Sequence, residues 1–376
     1  MNGSLSVQNG TVQGDTASGH GVNISGNLNL ANTTITGNAS TSGSGVLLGG
    51  NISGDVPDNS VITGSSEQGT GVTVTGNSSV SNVSVNGNTV DGSGITVNGN
   101  LTSSGSTTVT GNATGSGTGV DLAGNVSGGS VNGSSAAGTG VSVSGDSTLT
   151  DVTVNGNTGS GHGVDVNANL TSSGSTTVTG NATGSGTGVD LAGNVSGGSV
   201  NGSSAEGTGV NVNGTLTLAD VTVNGNTTDG TGVNVNGSLT NNGNTAVTGS
   251  ADGNGTGAIL NGTVTGGTLA GHSVSGSGLH VTGNSSLNSV ELNASSQSGP
   301  GMHIDGMLST TGGTTLNGGA QHDSAVIRHK VHDQQGSLQQ NSKLKDVVRS
   351  SGYLNPDKKV NVRICTEDNC RNLSVG

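Results

Sequence analysis

Two cysteines, Cys365 and Cys370, are the only thiols in the chain, and they flank a four-residue turn, Thr366-Glu-Asp-Asn369. Segments on either side alternate like strands, so the pair would face each other across an antiparallel hairpin, within disulfide reach. The same spacing also fits two reduced thiols, or two of the four ligands that a zinc site needs. A lone pair in an otherwise cysteine-free chain suits an oxidising compartment better than a metal. Histidines are the next candidates. His20 and His162 both occupy the variable slot of a Gly-x-Gly loop, but they lie six coils apart and cannot share an ion. His329 and His332, beside Asp333, would form an i, i+3 pair on a helix. A solvated polar helix is the better reading of them.

Carboxylates are dispersed singly. The stretch Gly115-Ser-Gly-Thr-Gly-Val-Asp121 resembles a calcium-binding nonapeptide loop only superficially, because the repeated aspartate ladder is missing. No nucleophile–base or paired acid/base arrangement is visible. No catalytic, cofactor or metal residue is therefore expected, and the chain is expected not to be an enzyme. Asn-x-Ser/Thr sequons such as Asn38-Ala-Ser40 and Asn112-Ala-Thr114 are what a chain this rich in Asn, Ser and Thr produces by chance.

The elements that hold these groups follow from a repeat. Gly-x-Gly followed by an aliphatic residue recurs at Val22, Val46, Val72, Ile95, Val120, Val141, Val164, Val189, Val210, Val233, Ala258, Leu279 and Met302. From Val72 the gaps run 23, 25 and 21 and then start again, so the pattern closes every three coils. A period in the low twenties is one turn of a solenoid. Between the loops, apolar residues alternate with Thr, Ser, Asn or Asp, the period-two pattern of strands with one buried face. Asn-Gly, Gly-Asn and Gly-x-Gly would supply positive-φ corners. Parallel stacking at about 4.8 Å per coil gives a shaft on the order of 60 Å. Asn77, Asn88, Asn100, Asn112, Asn125, Asn157 and Asn226 should stack into amide ladders at the corners.

The expected fold is therefore all-β: a right-handed parallel β-helix of about thirteen coils of 21–26 residues over 1–318, then a small α+β tail over 319–376. Within the tail, Ser324 to Gln335 and Asn341 to Ser350 read as short helices. Asp55-Val56-Pro57-Asp58 reads as a surface bulge in the longest coil. Residues 101–136 and 170–205 are identical and stand three coils apart, which marks a copied three-coil unit.

Composition narrows the partners. Of 376 residues 74 are Gly, with no Trp or Phe and only 27% hydrophobic, so without the repeat the chain would read as disordered. All nine Lys and Arg lie at or after Arg328, while residues 1–327 carry 17 acidic groups. A shaft without cations has no footprint for nucleic acid or anionic lipid. No apolar stretch approaches the roughly 20 residues that span a bilayer, so no membrane insertion is expected. Thr108-Val-Thr110 and Thr177-Val-Thr179 would make an ice-binding face only if repeated in every coil, and Ser84-Val-Asn86 and Thr153-Val-Asn155 interrupt them. With Val22 aligned to Ile95, Met1 falls on Val74, Val7 on Val80, Val12 on Val85 and Gly14 on Gly87. The chain then opens in mid-coil with no secretory signal, as the C-terminal piece of a longer protein would.

The Gly/Asn/Ser/Thr/Val coils resemble the shafts of large Gram-negative exoproteins of the filamentous-haemagglutinin and high-molecular-weight adhesin type, exported by two-partner secretion. The resemblance covers residues 1 to about 318. It implies an extracellular or cell-surface location, and a role in attachment or aggregation through a surface receptor that the sequence does not name. Some of these adhesins end in a cysteine pair whose disulfide-closed loop tethers the shaft to its outer-membrane transporter; Cys365 and Cys370 sit where that likeness puts them. A classical autotransporter passenger would instead run into a membrane barrel. The alternatives are a stand-alone solenoid binding a ligand or ice on a stacked Thr/Asn face, and a non-functional gene remnant.

Overall fold

A computed structural model describes residues 3–55, 60–305, 308–320, 329–330, 360–366 and 369–375. Every regular element among them is a β-strand, and the architecture is an all-β parallel solenoid of about 13 turns. The chain divides into two compact units, Met1–Val200 and Asn201–Gly376.

In the first unit a turn is built from three short strands, for example Ser93–Val97, Leu101–Ser104 and Thr108–Ala113. Each pairs in parallel with its equivalents one turn before and after. Ile95 sits between Val72 and Val120, and Val109 between Val85 and Val131. Period-two alternation decides which residues point inward. Val72, Ile95, Val120, Val141, Val164 and Val189 are all fully buried, one above another. Fully burying a Val or Ile side chain is worth roughly 1.5–3 kcal/mol, so the column replaces the large core that the composition denies. In the second unit Val210, Val233, Ala258, Leu279 and Met302 form a buried column of their own.

Buried hydroxyls complete the interior. Thr107 Oγ1 donates to Ser104 O at 2.7 Å, and Thr176 and Thr245 do the same to Ser173 and Asn242 at 2.7 and 2.6 Å. Each of these threonines stands three turns from the next, so the three-turn period is also a bonding pattern. Without such partners a buried hydroxyl would cost a few kcal/mol.

Glycine has a different task from the one expected. Positive-φ corners do occur, at Gly105, Gly128, Gly174 and Gly243, and at Asn32, Asn82, Asp151 and Asp220, whose short polar side chains tolerate that conformation. The second glycine of most Gly-x-Gly loops is not among the positive-φ positions. Instead it packs against another glycine. A Cβ on Gly111 would lie 2.0 Å from Gly119 O, and Gly133, Gly156 and Gly180 repeat the contact within 2.1 Å of Gly140, Gly163 and Gly188. Two stretches of backbone touch inside each turn, and no side chain fits between them. In the second unit Ala294 takes the equivalent place, paired with Gly271 and Gly318.

Other expectations also need adjustment. Val12 and Gly14 do stack, turn by turn, onto Val85 and Gly87. Leu5 rather than Val7 falls in line with Val80, through Leu28 and Ile52. A two-residue slip preserves the inward face, so it leaves no trace in the hydrophobic pattern. Val56 to Asn59, with most of the expected bulge, lie outside the described residues. So do the two expected tail helices, except that His329–Lys330, inside the first, form a strand parallel to Ile364–Cys365. The expected hairpin is present: Val360–Thr366 runs antiparallel to Asn369–Val375, with Thr366 and Asn369 belonging to the strands.

Candidate functional site

Parallel stacking has one chemical consequence: residues in the same slot of adjacent turns become neighbours, however far apart in sequence. The slot just after the aliphatic column gathers several His and Asp side chains of adjacent turns. In the first unit it holds Thr96, Asp121, Ser142, Asp165 and Asp190. In the second it holds Asn211, Asn234, Ile259, His280 and His303.

Asp165 and Asp190 are register partners, and His162 approaches from three residues away, its Nδ1 3.8 Å from Asp165 Oδ2. The nearby Asp165 carboxylate raises the His162 pKa above its ordinary value, against a desolvation that lowers it. Asp165 Oδ2 also accepts from Asn167 Nδ2 at 2.8 Å. Asp165 Oδ1 is buried and has no hydrogen-bond partner among the described residues.

The second cluster is tighter. His280 and His303 stack face to face, with ring centroids 4.7 Å apart and planes within 11°. Both present Nε2 to one carboxylate: His280 Nε2 is 2.8 Å from Asp305 Oδ2, and His303 Nε2 is 3.0 Å from Asp305 Oδ1. The hydrogen bond from His280 is the main reason that the Asp305 pKa falls below its usual value. His280 and His303 are part-buried and Asp305 is half exposed, so the group opens to solvent. Among the described residues, these are the two groups of three whose His and carboxylate ligand atoms lie within 4.8 Å of one another.

Sequence reasoning misses both. It compares His20 with His162, and the slot assignment is sound: His20 pairs with Ser44 and His162 with Thr187. The available signal is the gap from His280 to His303, which equals the gap between their column residues Leu279 and Met302. His272, on another ladder, is hydrogen-bonded to Ser295 Oγ at 2.7 Å. His332 and Asp333 lie outside the described residues.

The isolated carboxylates have structural work. Asp91, Asp151, Asp220 and Asp229 each accept, at 3.0 Å, a backbone N–H from the corner of the next turn. Asparagine amides continue the theme. Asn77, Asn100 and Asn125 form a corner ladder with spacings of 2.8 and 2.9 Å. Asn88 and Asn112, and Asn157 and Asn181, ladder likewise, but within strands rather than at corners. Thr108 and Thr110 sit beside Ser84 and Asn86, so the threonine face is interrupted as expected.

Cys365 and Cys370 are directly opposed register partners in the tail hairpin. No helix among the described residues is long and apolar enough to cross a membrane. Comparison with known proteins returned no matching family model, no matching curated protein and no matching solved structure.

Proposed function

We propose that this chain is a non-catalytic shaft of an exported bacterial exoprotein of the two-partner type, displayed at the cell surface for attachment or aggregation. The observation that carries the reading is how the polar groups are spent. Amides, hydroxyls and carboxylates that could meet a substrate are bonded to the next turn instead, through Asn100, Asn112, Asp151 and Asp220 among others. Residues 101–136 and 170–205 are identical in sequence, which suits a part whose use lies in extension. An acidic surface without Lys or Arg before Arg328 gives no hold for nucleic acid.

The tail is the anchor in this reading. Opposed residues of an antiparallel pair have Cα atoms about 4.5–5.5 Å apart. A disulfide spans about 4.4–6.8 Å between Cα atoms, so the Cys365–Cys370 register supports a closed loop. The partner would be an outer-membrane transporter.

Trypsin on intact cells tests the location, because its first site is Arg328. Display at the surface predicts release of an acidic fragment ending at Arg328. A protein protected until the cells are lysed would contradict it. For the anchor, Cys365→Ser and Cys370→Ser should each move protein from the cell surface to the medium. Unchanged retention would remove the tail's role.

A further inference from the structure

We infer that His280, His303 and Asp305 form a binding site for a divalent transition-metal ion of the zinc class, which joins two adjacent turns. Three features of the group lead there. Two imidazoles are set side by side by the strand ladder and stack in parallel, so they are neighbours before any ion arrives. Both Nε2 atoms converge on a single carboxylate, at 2.8 and 3.0 Å. All three ligand atoms lie within 4.8 Å of one another. Zinc bonds of about 2.0–2.1 Å set ligand atoms roughly 3.3 Å apart in a tetrahedron, so modest rotation of part-exposed side chains closes the set.

Without an ion, each ring donates its Nε2 proton to Asp305. Moving that proton to Nδ1 presents two lone pairs and an ionised carboxylate, with the remaining positions left to water. Two imidazoles and one carboxylate suit zinc, nickel or copper; calcium and magnesium prefer all-oxygen sets. The surroundings favour a cation, since residues 1–327 carry 17 acidic side chains and no Lys or Arg. The His162–Asp165–Asp190 group is the weaker candidate, because it offers one nitrogen and its His–Asp contact is 3.8 Å. The site also stands clear of residues 101–136 and 170–205, the copied stretches. A residue there is single and can carry a single task.

The test uses the full chain, stripped of metal, with Zn²⁺ as probe. Tail residues can also take zinc, so the readout must be specific to the site. Imidazole resonances of His280 and His303 should shift together as one equivalent of Zn²⁺ is added, while Ca²⁺ at the same concentration moves neither. His280→Asn and His303→Asn are the matching variants. Asparagine already occupies this slot at Asn211 and Asn234, whose amides bond at 2.9 Å, so the fold is retained. Each variant should weaken zinc binding at this site by more than about tenfold, a change of about 1.4 kcal/mol. The double variant, with an unchanged circular dichroism spectrum, should bind one equivalent less. Unmoved His280 and His303 resonances, or a double variant with unaltered stoichiometry and affinity, would overturn the assignment.

Discussion

Replacing Gly111 by alanine adds one methyl group where the turn has no room for it. Its carbon would lie 2.0 Å from Gly119 O, 2.7 Å from Gly119 C and 2.7 Å from Val120 Cγ2. Ordinary contact begins at 3.4 Å, so the carbonyl would have to retreat by more than an ångström. That carbonyl belongs to backbone within the strand Thr118–Leu122, and moving it disturbs pairing with the turns on both sides. Overpacking costs typically about 1–3 kcal/mol, and a rigid backbone neighbour puts this case at about 3 or above. Coupling between turns is nearest-neighbour, so the damage starts locally. In a urea titration followed by circular dichroism the midpoint should fall by about 1 M, taking an ordinary denaturant slope. Gly318 is the control. It follows Ala294 on the glycine ladder of the second unit, has nothing within 4 Å of an added Cβ among the described residues, and has no positive φ. Gly318→Ala should be neutral or stabilising by up to about 1 kcal/mol, through the unfolded chain. Equal midpoints for the two variants would refute the close-approach role of glycine.

Asp220→Ala should destabilise by about 2 kcal/mol, by placing alanine at a positive φ and removing an acceptor. Asp220→Asn should be nearly neutral, since Asn82 holds the equivalent corner at φ 54 and accepts the Ser106 N–H at 3.2 Å; the two midpoints decide it. His162 has a raised pKa in the fold, so its pairing with Asp165 stabilises fully below the unfolded value near 6.5 and is lost as pH rises through the folded value. An NMR titration should find His162 above that reference, and Asp165→Asn should lower it; a midpoint unchanged by the substitution contradicts the pairing.

The buried column is readable because period-two alternation and a fixed loop motif report the same thing. Column positions such as Ile95 and Val120 need only be apolar and in register, and both properties are local. Glycine is harder to read. A residue such as Gly111 looks like a corner former, and only the opposing backbone of Gly119 shows that it is there for want of a side chain. Asn88 and Asn112 read as corners because Gly-Asn suggests a turn, but here the glycine faces inward and the asparagine outward along a strand. The His280–His303 pair needs the register of one particular slot, and attention to the Gly-x-Gly slot finds His20 and His162 instead. Loops of unequal length hide such registers, as the Leu5-for-Val7 exchange illustrates.

If the turns are interchangeable parts of a shaft, a whole unit of them can be removed without loss. Removing residues 137–205 takes out one whole three-coil unit and joins Ala136 to Glu206, the same junction that Ala205 makes with Glu206. The shortened chain should keep its β circular dichroism per residue, unfold cooperatively and remain at the cell surface in the same proportion. Loss of the fold or of surface display on this deletion would mean that the removed turns hold something the remaining ones do not, and would contradict the account.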